Sequence, residues 1–408
     1  MKKNSKLNFM IKKILFGSFI YTSLLIIIRA FNFYFNLNSF GGHEWHTAEW
    51  LIHYSFGFVR RGMFGSLILN LPFESDQSLI FLTYFLHTLY LIYLLILIFI
   101  FVKNKQNSLS YLLLFSPAFV FFHLTNHDAI FRKELLGILA FSIIVLSHSS
   151  KFRNVLFFIG FTIFVVAIFS AEYNLYFLLP ILYTLHNKGD LQKKIKITIL
   201  LLPTVLYFIL YLQNLKNSDP ISDLICESIY RFNYYESFCS GAIKWLGYDI
   251  SETLGLTLDY YRGSQYLVYA LYLLIPLIPL LYTKFIQNNL IYFLIFTMSY
   301  IPLFIISIDW GRHIYMYIST LTILYFAESD KSNNFKLKSF YVFFILFLTL
   351  NIPYYGASYI SFLNLNSFLQ KLHLFTIADT FSYFSKNYFL NLSEMFELTF
   401  KFFIGKYF

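Results

Sequence analysis

From Gln77 to Val102 the chain carries no Asp, Glu, Lys or Arg, and most of its positions are Leu, Ile, Phe or Tyr. An α-helix crosses the hydrocarbon core of a bilayer with about 20 residues, so this run is long enough to span it. As a helix it would be apolar on every side, with no polar face to turn toward water. Comparable runs recur along the whole chain. Charged residues make up 13% of the sequence, against roughly 25% in a soluble domain, and a water-soluble fold could not hide the remaining apolar surface. The expected fold class is an all-α integral membrane protein.

Apolar runs centre on residues 12–34, 78–102, 109–125, 131–147, 154–170, 173–186, 195–213, 264–283, 288–307, 313–327 and 338–354, which predicts about eleven transmembrane helices. The first run has the basic start of a signal peptide, but Arg29-Ala30-Phe31 offers no small-x-small cleavage site, so it reads as an uncleaved span. Residues 1–354 form one polytopic domain with two polar segments, 36–77 and 214–263. Residues 355–408, interrupted by Asn, Lys and Ser, read as an amphipathic tail on the membrane surface. The sequence contains no P-loop and no GxGxxG, so no cofactor is expected, and any reaction must use a substrate that arrives activated. No internal repeat of the kind that builds many transporters is visible.

The loops alternate in kind as well as in side. One set holds Lys2, Lys3, Lys6, Lys12, Lys13, Lys103, Lys105, Lys151, Arg153, Lys188, Lys193, Lys194, Lys196, Lys284, Lys331, Lys336 and Lys338. The positive-inside rule makes that lysine-rich set cytoplasmic and the N-terminus with it. It also accounts for much of the net charge of +10 without invoking nucleic acid. The opposite set is mostly arginine, in short polar runs: Arg60, Arg61, Arg132, Lys133, Lys216, Arg231, Lys244, Arg262 and Arg312. Arginine's planar fork suits bidentate grip on phosphate, where lysine is a point charge. Cys226 and Cys239, the only cysteines, share the second polar segment, and two cysteines with no others suggest a disulfide in an oxidising compartment.

Four corners on the arginine-rich side concentrate the chemistry. In the first, His46, Glu49, Trp50 and His53 recur with helical spacing, which predicts an amphipathic helix lying on the membrane after the first span. The run His43-Glu44-Trp45-His46 has its histidines three apart, so a zincin-type metal site is not expected. Arg60 and Arg61 follow beside Gly62 and Gly65, which reads either as snorkelling to lipid phosphates or as an anion site with close backbone approach. The second corner is His127-Asp128-Ala129-Ile130-Phe131-Arg132-Lys133-Glu134. Glu134 there fits a helix-start cap or an ion-pair partner. The third is Ser170-Ala171-Glu172-Tyr173-Asn174, where a lone carboxylate at the membrane edge serves as a base or orients an arginine. The fourth is Asp309-Trp310-Gly311-Arg312-His313, with Asp309 and Arg312 spaced for contact.

The run Gly57-Phe58-Val59-Arg60-Arg61-Gly62 resembles the GFVRRG signature of polytopic proteins from bacterial O-antigen and capsule loci, the Wzy-type O-antigen polymerases in the broad sense. Arg132-Lys133-Glu134, Glu172 and Asp309-Trp310-Gly311-Arg312 resemble further landmarks of that group. The resemblance implies an inner-membrane enzyme that transfers a growing glycan from undecaprenyl pyrophosphate onto another lipid-linked repeat unit at the periplasmic face. It implies a pyrophosphate grip by Arg60, Arg61, Arg132, Lys133 and Arg312, and an acceptor base at Glu172 or Asp309, with His127 and His313 weaker candidates. The implied partners are the lipid-linked glycan, membrane lipids and a chain-length-regulating membrane protein. Three rivals stay open: a glycosyltransferase with a lipid-phosphate sugar donor, using Glu44 or Glu49; a lipid-linked oligosaccharide flippase; and an O-acyltransferase built on the deep His123.

Overall fold

The computed structural model describes residues 2–39, 41–103, 107–126, 129–187, 193–214, 218–231, 234, 236–248, 250–260, 263–307, 309–327, 354–355 and 360–361. The expected span at 338–354 and the tail at 355–408 lie outside the described residues, apart from an antiparallel pairing of Tyr354–Tyr355 with Ile360–Ser361. His127, Lys216, Arg262 and the lysines at 105, 188, 331, 336 and 338 lie outside them too.

The described chain is a helical bundle: α1 Lys2–Ser39, α2 Ala48–Leu51, α3 Gly62–Leu69, α4 Ser75–Lys103, α5 Ser108–Leu114, α6 Phe122–Thr125, α7 Glu134–Ser147 and α8 Arg153–Ser170. A 3-10 helix at Glu172–Phe177 leads into α9 Leu178–Asn187, followed by α10 Lys193–Asn214 and α11 Ser218–Arg231. The rest are α12 Ile250–Tyr260, α13 Gly263–Leu281, α14 Lys284–Asn288, α15 Leu290–Ile306 and α16 Trp310–Ala327. Four of these helices, over Lys12–Ser39, Ser75–Lys103, Arg153–Ser170 and Ile195–Gln213, are long and apolar enough to cross a membrane, and Glu134–Ser147, Val268–Leu281 and Leu290–Ile305 are shorter apolar helices.

The way these helices present their side chains matches a lipid solvent. On α10, Leu202, Val205, Leu206, Ile209 and Leu212 point outward, with Leu202 72% exposed, and α4 does the same with Leu95, Phe99 and Val102. A row of exposed large aliphatics repeating every three to four residues is one face of a helix, and hydrocarbon, not water, is the medium that stabilises it. At the centre, α7 and α16 are buried along almost their whole length. They pack on each other, with α4 and α8 against α7, and α13 and α15 against α16.

Two expected elements take another form. The run 109–125 is not one continuous helix, because α5 ends at Leu114 and α6 begins at Phe122. Pro117 has no N–H to donate and disfavours helical backbone at Ser116, which opens the break. The amphipathic surface helix after the first span is likewise absent among the described residues. Its place is taken by the single turn α2, all four residues of which are buried, and by the separate helix α3. Thr47, Glu49, Trp50 and His53 all face inward, so this segment has no outward polar face to lay on a membrane.

The bundle has two chemically distinct ends. At one, Lys103 donates to the Ser149 carbonyl, Lys196 Nζ to Asn154 Oδ1 at 3.0 Å and Asn107 Nδ2 to Tyr325 Oη at 2.8 Å. At the other, the ends of α1 and α8 meet the starts of α4, α7 and α16. There Asn38, near the end of α1, donates to Thr83 Oγ1 of α4 at 2.8 Å and accepts from Thr47 Oγ1 at 2.8 Å, which draws residues 41–47 inward. Helix α3 crosses tightly over this segment at Gly65, where an added Cβ would stand 2.0 Å from the Ile52 carbonyl oxygen. The close approach expected of this glycine is therefore to its own chain. Gly65→Ala should cost about 1–3 kcal/mol, the range for forced overpacking, and lower the thermal midpoint in detergent. Gly17→Ala, with nothing within 4 Å of its added methyl, should leave that midpoint unchanged or raised.

Candidate functional site

A salt-bridged cluster forms where the four charged corners meet. Arg132 Nε lies 2.6 Å from Glu49 Oε2, and Arg312 Nε lies 2.9 Å from Glu134 Oε1 and 2.8 Å from Asp309 Oδ2. Arg61 meets Glu172 in a two-pronged pairing, Nη2 to Oε1 at 2.6 Å and Nε to Oε2 at 3.0 Å. Lys133, wholly buried, donates to the Arg61 carbonyl at 2.8 Å and stands 5.7 Å over the Trp50 ring. Three guanidiniums and one ammonium thus face four carboxylates, and the charges balance.

Local sequence explains each placement. The 3-10 helix carrying Glu172 and Tyr173 is drawn against α7 by Asn174, whose Nδ2 donates to the carbonyls of Lys133 at 3.2 Å and Ala167 at 2.9 Å. Gly137 makes room for it, since an added Cβ there would meet Asn174 Oδ1 at 2.3 Å. Glu49 is oriented by its neighbour Trp50, whose Nε1 donates to the Phe131 carbonyl at 2.9 Å. Arg61 has φ 76°, the only non-glycine residue with positive φ among the described residues. Such a conformation costs on the order of 1–3 kcal/mol and persists where its surroundings over-determine it. Here the Glu172 pairing and the Lys133 contact to the Arg61 carbonyl hold it.

Tyr173 stands between the pairs. Its hydroxyl donates to Glu49 Oε1 at 2.9 Å and lies 3.5 Å from Glu134 Oε2. The guanidiniums of Arg61 and Arg312 lie 5.7 and 5.8 Å from its ring centroid.

The cluster has a sealed base and an open rim. Glu49, Lys133 and Glu134 are buried, while the side chains of Glu172 and Asp309 are 27% and 45% exposed. Burial pushes the Glu172 carboxyl up, and the adjacent Arg61 guanidinium overrides it, holding the group down at about 2. Glu49 is likewise raised by burial and brought well below the carboxylate range by Arg132. Both are anions at neutral pH, and Glu172 in this state orients Arg61. His313 is buried, and its Nε2 bonds Ser307 Oγ at 2.7 Å.

A cap covers the first corner. Cys226 on α11 is disulfide-bonded to Cys239, and the adjoining residues dock on the first polar segment. The Ala242 N–H donates to the Glu44 carbonyl at 2.8 Å, Ser240 donates to the Glu44 carboxylate, and Trp45 meets Trp245 edge-on at 5.5 Å. Arg60 belongs to this cap: its Nη2 donates to the Trp245 carbonyl at 3.1 Å.

Of the residues expected to form the site, the structure brings together Arg61, Arg132, Lys133, Arg312, Glu172 and Asp309. It ties Arg60 to the cap, near enough to Glu172 for its charge to help hold that carboxyl down, and His127 lies outside the described residues. Sequence reasoning did not place Glu49, Glu134 or Tyr173 among the pyrophosphate-gripping or base residues: Glu49 entered only as the acid of the lipid-phosphate-donor rival, and Glu134 as a cap or an ion-pair partner, the second of which the structure shows. The available signals were an acid beside a tryptophan in an apolar stretch and an acid directly after Arg132-Lys133. Compared with known proteins, the chain matches no family model, no curated protein and no solved structure.

The cap carries a pH-sensitive latch at His53. Its Nδ1 accepts from the Ser55 N–H at 3.3 Å, which leaves Nε2 to donate to Ser228 Oγ at 2.6 Å, while the Ser228 hydroxyl donates to the Ile225 carbonyl at 2.8 Å. Burial pulls this imidazole down to about 4, so the folded state binds fewer protons than the unfolded chain between that value and the ordinary 6.5. Stability from His53 is fully present above pH 6.5 and declines as pH falls toward 4. In thermal melts across that window the wild type should lose stability more steeply than His53→Gln. Parallel slopes would contradict the latch.

Proposed function

We propose that this protein is a membrane glycosyltransferase that polymerises lipid-pyrophosphate-linked glycan repeat units, of the O-antigen or capsule kind, on the periplasmic face of a bacterial inner membrane. The observation that carries the reading is the convergence of Arg61, Arg132 and Arg312, from three distant corners, on one cluster whose rim carboxylates are partly open to the outside. Supporting it, Arg312 Nη1 is buried and has no hydrogen-bond partner among the described residues, which leaves donor capacity for an anion. The topology that goes with this reading has about eleven spans, a cytoplasmic N-terminus and lysine-rich loops, and periplasmic segments at 36–77 and 214–263.

In this reading the acceptor sugar hydroxyl attacks the anomeric carbon of the donor. The bond from that carbon to the lipid pyrophosphate oxygen breaks, and the electron pair leaves with the pyrophosphate. A polar anion arriving at the rim competes with Glu172 for the Arg61 fork and with Asp309 for Arg312. Glu172, once displaced, loses the Arg61 guanidinium that holds it ionised at low pH, and its proton affinity rises toward that of an ordinary carboxylate. The same exchange therefore stabilises the leaving group and frees a base, Glu172 or Asp309, for the acceptor proton. The deeper pairs, Arg132–Glu49 and Arg312–Glu134, keep the scaffold in place. The growing chain and lipid-linked repeat units are the partners this activity requires, and a chain-length-regulating membrane protein is a further partner it could take.

The test is replacement of arginine by lysine, which keeps the charge and loses the fork. Two charge-assisted hydrogen bonds lost at about 1.5–3 kcal/mol each predict a drop in transfer rate of about a hundredfold or more for Arg61→Lys and Arg312→Lys. The variants are expressed in a strain lacking the gene and checked for membrane level, and glycan chain length is read on gels. Loss of long chains at normal protein level is expected. Wild-type ladders from both variants would overturn the reading and leave the arginines as structural ion pairs.

A further inference from the structure

The geometry points to Tyr173 as the residue that positions both rim guanidiniums, its ring serving as the common platform on which Arg61 and Arg312 are held for an anion. This rests on the reading of the rim as a pyrophosphate site and adds a residue to it.

The guanidinium carbons of Arg61 and Arg312 lie 5.7 and 5.8 Å from the Tyr173 centroid, within the roughly 6 Å over which a cation is attracted by an aromatic face. Each arginine has a carboxylate partner at the rim, but those carboxylates, Glu172 and Asp309, are the groups that an incoming anion would displace. Once they leave, the ring is a partner that stays. An aromatic face holds a guanidinium without using any of its N–H donors, so the Arg61 fork and the Arg312 nitrogens not engaged by Glu134 remain available to phosphate oxygens. A carboxylate in the same place would consume two donors and repel the ligand.

The hydroxyl fixes the platform. Tyr173 is buried at 4% exposure, and its Oη donates to Glu49 Oε1 at 2.9 Å with Glu134 Oε2 3.5 Å away. A phenol has one proton to donate, so it ties the ring to the Glu49–Arg132 pair and rests beside the Glu134–Arg312 pair. The backbone below is pinned by the two Asn174 contacts. Ring position is thus set by groups that do not take part in the rim exchange.

The experiment measures binding of inorganic pyrophosphate to the purified full-length protein in lipid nanodiscs, alongside KM and kcat for polymer formation from lipid-linked repeat units. Replacing the ring, as in Tyr173→Leu, should weaken pyrophosphate binding and raise KM by about tenfold or more, with a smaller change in kcat. Tyr173→Phe, which keeps the face and loses the Oη bond to Glu49, should bind more weakly than wild type and more tightly than Tyr173→Leu. A third arm places fluorinated phenylalanines at position 173 by nonsense suppression. Successive fluorines drain the ring's negative face without changing its packing much, so binding should weaken stepwise with fluorine number, an effect that a merely structural ring would not produce. This arm decides the matter even where Tyr173→Leu fails to fold. Fluorinated forms that all bind as Tyr173→Phe does would overturn the platform while leaving the pyrophosphate site standing. Wild-type protein that binds no pyrophosphate and makes no polymer would overturn both.

Discussion

A charge placed at the end of an apolar bundle, out of reach of water, must be matched by an opposite charge at hydrogen-bond distance, and this requirement organises the active end of the molecule. The desolvation penalty for one buried ion is several kcal/mol, and removing one partner of a buried pair strands the other at a cost of about 3–5 kcal/mol. Arg132 beside Glu49 and Arg312 beside Glu134 obey that rule within α7, α16 and the segment after α1. The surrounding details follow from making those pairs meet. Asn38 draws the first segment inward, Gly65 lets α3 cross over it, and Gly137 admits the turn that brings Glu172 and Tyr173 alongside.

The division between sealed base and open rim turns a structural necessity into a chemical opportunity. A fully enclosed pair is too costly to separate for a ligand to use it. A pair such as Arg312–Asp309, whose acid is 45% exposed, is less costly to separate, because water compensates the displaced carboxylate. The arginines at the rim are also those with unusual support: Arg61 through its strained backbone and the Lys133 contact, Arg312 through two acids and the Tyr173 ring. Anion binding there would use guanidiniums that have been oriented in advance, so little ordering remains to be done when the ligand arrives.

The sequence was most informative where a single local property decides the outcome. Long apolar runs announced apolar helices, and the four described helices long and apolar enough to cross a membrane coincide with runs expected at 12–34, 78–102, 154–170 and 195–213. The arginine corners were visible because such residues are costly beside a membrane. What stayed hidden was partnership. Glu49 and Arg132 are far apart in the chain, and nothing in either neighbourhood names the other. Glu172 was read as a base or as an orienter of an arginine, and its neighbourhood could not say which arginine, because Arg61 lies in another corner. Tyr173 was one of many tyrosines in an aromatic-rich chain, so its role could not be told from composition. The break at Pro117 and the inward turn of α2 were missed for a different reason: hydropathy and helical spacing register apolar length and periodicity, while proline geometry and buried polar contacts decide whether the helix continues.

The central claim is that the rim pairs are exchangeable and that a pyrophosphate replaces their acids. The most direct measurement is a cryo-EM structure of the protein in lipid nanodiscs with a non-hydrolysable undecaprenyl-pyrophosphate-linked glycan analogue. The account predicts phosphate density within hydrogen-bond distance of both Arg61 and Arg312, with Glu172 and Asp309 turned away from them and Arg132–Glu49 unchanged. Analogue density elsewhere on the protein, with Arg61–Glu172 and Arg312–Asp309 still paired as they are here, would contradict it.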